Sequence, residues 1–266
     1  MHWPKSLLCA AVVLGVAASS GHAGSLVEIS GGSDAEKSIP AYLARPSGAG
    51  PFPAIVVLHG CGGINSVIVD WADRLARWGY VAVAPDSLTP RGRKSSCSSG
   101  ASDQIHDGYR ALSFLAGQPF VRGDQIGLMG ISLGAGATLA AFERNGVEKS
   151  YLGRFRAALA FYPPCSGSSG IMVGPTLVLV GELDNWTPAD DCRAMVAGES
   201  VIGTSRAPSD RSMVELVVYP ATHHSFLDPN VTAGDRYLGH WLQYNDAAAK
   251  DAIVRAKRFW ERWLNQ

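Results

Sequence analysis

Six stretches of the chain are apolar almost without interruption: AIVVLHG (54–60), YVAVAPD (80–86), QIGLMG (125–130), AALAFYP (157–163), TLVLVG (176–181) and VELVVYP (214–220). A strand with one wet face alternates, so a continuous apolar run of strand length indicates cover on both faces, as in a parallel sheet between helices. Two earlier runs, LVEI (26–29) and AYLA (41–44), precede them. Helical patterns fill the gaps. In VIVDWADRLARWG, Val67, Trp71, Leu75 and Trp78 recur at helical spacing and Gly79 ends the segment. In SDQIHDGYRALSFLAG, Ile105, Tyr109, Leu112 and Leu115 form the inner face. A third helix runs from Leu133 to about Arg144, a fourth starts at Thr187-Pro188-Ala189-Asp190 with Thr187 as its cap, and a last one spans about 247–263. Strand and helix in alternation give an α/β class, a doubly wound and mostly parallel sheet flanked by helices.

The first 23 residues read differently. MHWPK is a short basic start, SLLCAAVVLGVAA an apolar run, and Gly21 and Ala23 are small. This is the pattern of a signal peptide cut after Ala23, and the run is too short to span a membrane. The expectation is an exported protein, periplasmic or secreted, with residues 24–266 as a single domain and no stable membrane anchor. Cleavage leaves Cys61, Cys97, Cys165 and Cys192, which in an oxidising compartment allow three disulfide pairings. Lys+Arg and Asp+Glu both number 23, so no basic excess favours a nucleic acid. Two polar connections are long, residues 87–102 after a buried run and residues 199–213 before the last one. The first lies where open α/β sheets bind ligands; the second reads as plain surface.

Chemistry enters at Gly130-Ile131-Ser132-Leu133-Gly134, a G-x-S-x-G between an apolar run and a helix. That setting makes a nucleophile elbow, in which a tight strand-to-helix turn exposes the serine hydroxyl. A serine needs a base oriented by an acid. Glu182-Leu183-Asp184-Asn185 follows one later run, and Ala221-Thr222-His223-His224 follows the next, giving Ser, acid, His in order. Ser132, Asp184 and His224 are the expected catalytic set, with His224 preferred to His223. Asp190 and Asp191 read as charges in a helix's first turn, and His106 and His240 as solvated. The amides of Leu133, after the serine, and of Cys61, in His59-Gly60-Cys61-Gly62-Gly63, are the expected oxyanion donors. No histidine or acid cluster has metal-ligand spacing, so neither metal nor organic cofactor is implied.

VVLHGCGG, GYVAVAPDSLTPRG, LMGISLGAG, ALAFYPPC, LVLVGELDNWTPADDC and YPATHHSF occur in an order that resembles the dienelactone hydrolase family of α/β-hydrolases over about residues 40–263. The resemblance implies an α/β-hydrolase fold for residues 24–266, His224 as base, Asp184 as acid, and a small-molecule ester or lactone as substrate. It implies that Arg91 or Arg93 binds a substrate carboxylate, and Trp186 is placed to wall the acyl pocket. The family's strand order brings Cys61 to Cys97 and Cys165 to Cys192. One departure is plain: the family proper carries a cysteine nucleophile and a glutamate near the oxyanion loop, whereas this chain has Ser132 and HGCGG. A serine esterase on this scaffold follows. The other readings are a catalytically silent binding protein, an acyl transferase or a peptidase; oligomeric state is not legible.

Overall fold

The computed structural model describes residues 24–31, 37–100, 102–199 and 212–265. The segment expected to be a signal peptide and most of the 199–213 connection lie outside them. Among these residues, eight strands form one sheet: β1 (Ser25–Ile29), β2 (Ile39–Ala44), β3 (Phe52–Leu58), β4 (Val81–Pro85), β5 (Val121–Ile131), β6 (Ala158–Phe161), β7 (Thr176–Gly181) and β8 (Val214–Tyr219). Their order is β1-β2-β4-β3-β5-β6-β7-β8. Neighbours from β4 through β8 pair parallel, and β1 and β2 are antiparallel at one edge. The central runs are buried from end to end, whereas β8 closes the opposite edge and is only half-buried.

Among the described residues, five α-helices cover the sheet: α1 (Ser66–Arg77), α2 (Ser102–Ala116), α3 (Leu133–Phe142), α4 (Ala189–Ala197) and α5 (Asp246–Leu264). That they lie on both faces follows from two adjacent residues of β5. A Cβ on Gly127 would meet the Trp260 ring of α5 at 2.6 Å, while the Leu128 side chain lies beside Gly108 of α2. Successive strand residues point to opposite faces, so α5 and α2 sandwich the sheet.

Helix α1 starts at Asn65, whose side chain accepts from the Ile68 N–H, and ends before Gly79 at φ +94°. Trp78 is thus the cap, and its ring still packs edge-on against Trp71, 6.2 Å away, at the end of the apolar stripe. Helix α2 turns the expected face inward, with Tyr109, Leu112 and Leu115 buried and Ile105 partly buried against the core, and Asp107 is fully buried with them. An aspartate there needs a cation, and the loop after β4 supplies one. A two-stranded hairpin, β9 (Asp235–Tyr237) and β10 (His240–Leu242), follows β8 and has no counterpart in the sequence reading.

The chain runs from β3 out to β4 and then back across β3 to β5. The connections after β3 and β5 therefore diverge, opening a crevice at the carboxyl ends of the strands where this architecture binds ligands. Disulfides join Cys61 to Cys97 and Cys165 to Cys192 around it.

Candidate active site

Ser132 sits between β5 and α3 at φ 55°, ψ −119°, a conformation a side chain adopts only under constraint. The constraint is steric. A Cβ on Gly134 would lie 2.4 Å from the His59 carbonyl oxygen, and one on Gly130 would lie 2.2 Å from that of Gly134. Only glycine lets β3, the turn and α3 approach this closely. Of the six non-glycine residues at positive φ among those described, Ser132, Tyr162, Ala221 and Ser225 cluster here, each just beyond a strand or beside His224.

The turn presents the Ser132 hydroxyl to the loop after β8. Ser132 Oγ lies 3.0 Å from His224 Nε2, and His224 Nδ1 lies 2.7 Å from Asp184 Oδ2. Burial opposes ionisation of Asp184, but hydrogen bonding and charge from His224, with the Thr187 and Trp186 N–H groups, outweigh it and hold the carboxyl below its usual range. An ionised Asp184 only accepts, so Nδ1 carries the proton and donates, leaving Nε2 to accept from the serine hydroxyl. His223 is turned elsewhere, its Nδ1 3.1 Å from the Leu183 carbonyl.

Both loops are tightly held. Asp184 Oδ1 accepts from the N–H groups of Trp186 and Thr187 at 2.9 and 2.8 Å. The His224 carbonyl accepts from Gln243 N–H at 3.0 Å, and Asn245 Nδ2 donates to Thr222 Oγ1 at 2.9 Å. A Cβ on Gly181 would lie 2.2 Å from the Thr222 carbonyl oxygen, so the loops after β7 and β8 touch backbone to backbone.

Thr187, read from sequence as a helix cap, belongs to this network instead. Pro188 occupies the cap, and Thr187 Oγ1 lies 2.9 Å from Asp184 Oδ2, 3.1 Å from the Tyr162 carbonyl and 3.2 Å from His224 Nδ1. The readable signal was Asp184 three residues earlier, the spacing at which an aspartate bends the chain back on itself.

The Leu133 N–H opens α3 and lacks a helical acceptor, at the end of the helix that favours negative charge. Gly60 lies against Ser132, a Cβ there falling 3.7 Å from the serine's own, and this brings the Cys61 turn alongside. That turn is pinned through Ser96 N–H to the Cys61 carbonyl at 2.8 Å and through the disulfide to Cys97. Beneath it, fully buried His59 donates from Nδ1 to the Gly60 carbonyl at 2.7 Å and accepts the Ser87 N–H on Nε2 at 3.2 Å. Burial pushes the His59 pKa down and keeps the ring neutral.

A cavity of about 190 Å³ opens at Ser132 and His224, walled by Tyr162, Trp186, Tyr237 and Asp228, and contains no glutamate among its described lining. Burial first, then the nearby Asp228 and Asp184 charges, pushes the Tyr162 phenol up, so it remains a neutral hydroxyl. Trp186 lies 5.1 Å from the His224 ring and stacks on His240 at 4.8 Å. His240, expected in solvent, is thus half-buried, with Nδ1 2.9 Å from the Asn185 carbonyl.

Arg91 is a correction. Its guanidinium grips Asp107 at 2.8 and 3.0 Å and donates to the Ser87 carbonyl at 3.1 Å, within the 87–102 loop and outside the cavity lining. Together with Arg110, whose Nη1 lies 3.6 Å from Asp107 Oδ1, it neutralises the buried aspartate of α2. Arg93 pairs with Asp103.

Residues 39–264 match the profile of the Dienelactone hydrolase family. The chain belongs to the dienelactone hydrolase family. A Synechocystis protein named as a carboxymethylenebutenolidase is 25% identical over 248 residues, covering 85% of this chain and 92% of that protein. A Bradyrhizobium protein named as a 2-oxo-3-(5-oxofuran-2-ylidene)propanoate lactonase is 28% identical over 204 residues, covering 70% and 78%. Among solved structures, a dienelactone hydrolase-like promiscuous phosphotriesterase from metagenomic libraries superposes with TM-score 0.69 at 19% identity, over 90% of this chain and 98% of that one. Thermogutta terrifontis esterase 2 phosphorylated by paraoxon gives TM-score 0.65 at 16% identity, covering 91% and 95%. Those structural likenesses are of fold. As a member of the dienelactone hydrolase family the chain is a carboxylic ester hydrolase with an α/β-hydrolase fold. No helix among its described residues is long and apolar enough to cross a membrane, and no group of three or more His, Cys, Asp or Glu side chains there is placed to hold a metal ion.

Proposed function

We propose that the protein is an exported serine hydrolase that cleaves an ester or lactone through Ser132, His224 and Asp184. The observation that carries this reading is the continuous chain from Ser132 Oγ to His224 Nε2, 3.0 Å, and from His224 Nδ1 to Asp184 Oδ2, 2.7 Å. In the proposed reaction Ser132 Oγ attacks the carbonyl carbon while its proton passes to His224 Nε2. Asp184 holds the ring by its Nδ1–H and stabilises the imidazolium. The Leu133 and Cys61 amides donate to the oxyanion, and His224 returns its proton to the departing alkoxide. A water, deprotonated by the same nitrogen, then attacks the acyl-serine and releases the acid. Thr187 acts through Asp184 as a positioning residue. Two disulfides support export, since such bonds persist in oxidising compartments.

Fluorophosphonate labelling of the purified protein, with turnover of a panel of aryl esters and lactones, tests the mechanism. The expected result is labelling of the wild type and none of Ser132→Ala, whose kcat falls by roughly 10⁴-fold or more. His224→Ala behaves alike, and His223→Ala retains labelling. Undiminished labelling of Ser132→Ala overturns the assignment. Neither labelling nor turnover by the wild type favours a silent binding protein.

A further inference from the structure

We propose that the cavity beside Ser132 selects esters bearing a positively charged group and turns away carboxylate-bearing ones, with Asp228 as the residue that sets the preference. The inference rests on the serine-hydrolase reading and adds a substrate class to it. Among the described residues, the cavity at Ser132 and the smaller space on the disulfide side, between Leu133 and Thr187, are lined by no lysine or arginine. The formal charge in the lining is Asp228.

Asp228 is fixed in place. Its Oδ1 accepts from the backbone N–H and the side-chain Nδ2 of Asn230, at 2.9 and 2.8 Å, and caps the short turn Pro229–Val231. That turn closes the segment leaving His224, so the carboxylate stays beside the reacting centre. The remaining walls reinforce its sign. Tyr162, Trp186 and Tyr237 also line the cavity, and aromatic rings attract cations over their faces. The cation that would have reversed the balance is committed elsewhere: Arg91 is held by Asp107, whose side chain is 0% exposed. Releasing Arg91 toward a substrate would break its two-point grip and leave the buried carboxylate with Arg110 alone, 3.6 Å away, which opposes that movement.

Three p-nitrophenyl esters with a common leaving group separate charge from shape: γ-trimethylammoniobutyrate, its neutral tert-butyl isostere, and glutarate monoester. The same three charges placed on the alcohol side cover the other half of the cavity. At low ionic strength kcat/KM is expected to fall from cation to neutral to anion, with at least about a tenfold span from end to end. The span should narrow as salt is raised. Asp228→Asn keeps an acceptor for Asn230, and in it the cation-to-anion ratio is expected to drop toward one. A ratio unaffected by that substitution, or an anionic ester cleaved as fast as the cationic one, overturns the proposal. Fluorophosphonate labelling of the same samples separates the two readings. Labelled protein with no charge order rejects the preference alone; protein that neither labels nor turns over rejects the catalytic reading and the preference with it.

Discussion

Thr187 shows how a side chain's partners can hide its role. Thr-Pro-x-Asp is the signature of a helix start, yet the hydroxyl turns back to Asp184 Oδ2 and the Tyr162 carbonyl. Thr187→Val keeps the branched shape and removes that donor from a buried, ionised carboxylate. The expected outcome is a fall in kcat of about tenfold with KM little changed, corresponding to about 1.5 kcal/mol for one charge-assisted bond. Thr187→Ser should restore most of the rate. Steady-state kinetics on the three proteins check this, because a merely structural role would lower stability without splitting kcat from KM. That Ser132, Asp184 and His224 come together was legible because each follows a readable strand, and parallel strands bring their carboxyl ends together. Thr187 was not, since its ring partner lies 37 residues away. Arg91 failed for a related reason: an exposed-looking loop arginine reveals nothing of the aspartate that a helix buries beneath it.

At the scale of elements, strands and helices were read with small shifts at their ends, because burial on both faces leaves a continuous apolar trace. The β9–β10 hairpin left none. Its strands are three residues each, and what seats them is Asn185, whose Oδ1 accepts the Trp241 N–H at 3.0 Å and whose carbonyl meets His240. The Cys61–Cys97 bond spans 36 residues and ties the turn carrying one proposed oxyanion amide to the loop that carries Arg91. Replacing both cysteines by serine should cost about 3 to 4 kcal/mol in urea unfolding. It should also lower kcat, as the Cys61 turn loses its anchor. The Cys165–Cys192 pair, spanning 27 residues, should cost a similar amount of stability with a smaller loss of rate. Equal losses of rate would show that neither bond positions the turn.

For the whole molecule, acid sensitivity should arrive in two stages. His59 has its pKa lowered by burial, so below the ordinary value of 6.5 the unfolded chain binds a proton that the folded one refuses. Stability is therefore full above that pH and is lost as pH falls through it toward the folded value. Asp184, held below 3.8 chiefly by His224 against the opposing effect of burial, adds a second loss beginning lower. Urea midpoints measured against pH should decline first below about 6.5. His59→Gln, which can donate and accept in the same two directions, should flatten that first decline whatever its effect on absolute stability. An unchanged slope would place the titrating group elsewhere.

Gly181 and the Thr222 carbonyl leave no room for a methyl group between the loops after β7 and β8. The gap between Asp184 and His224 is consequently gauged by main chain, not by side chains that a mutation could exchange. Cavity walls such as Trp186, Tyr237 and Asp228 hang from separate points on these and neighbouring loops. A lineage drifting among substrates could rewrite those walls one residue at a time while the acid and base kept their distance.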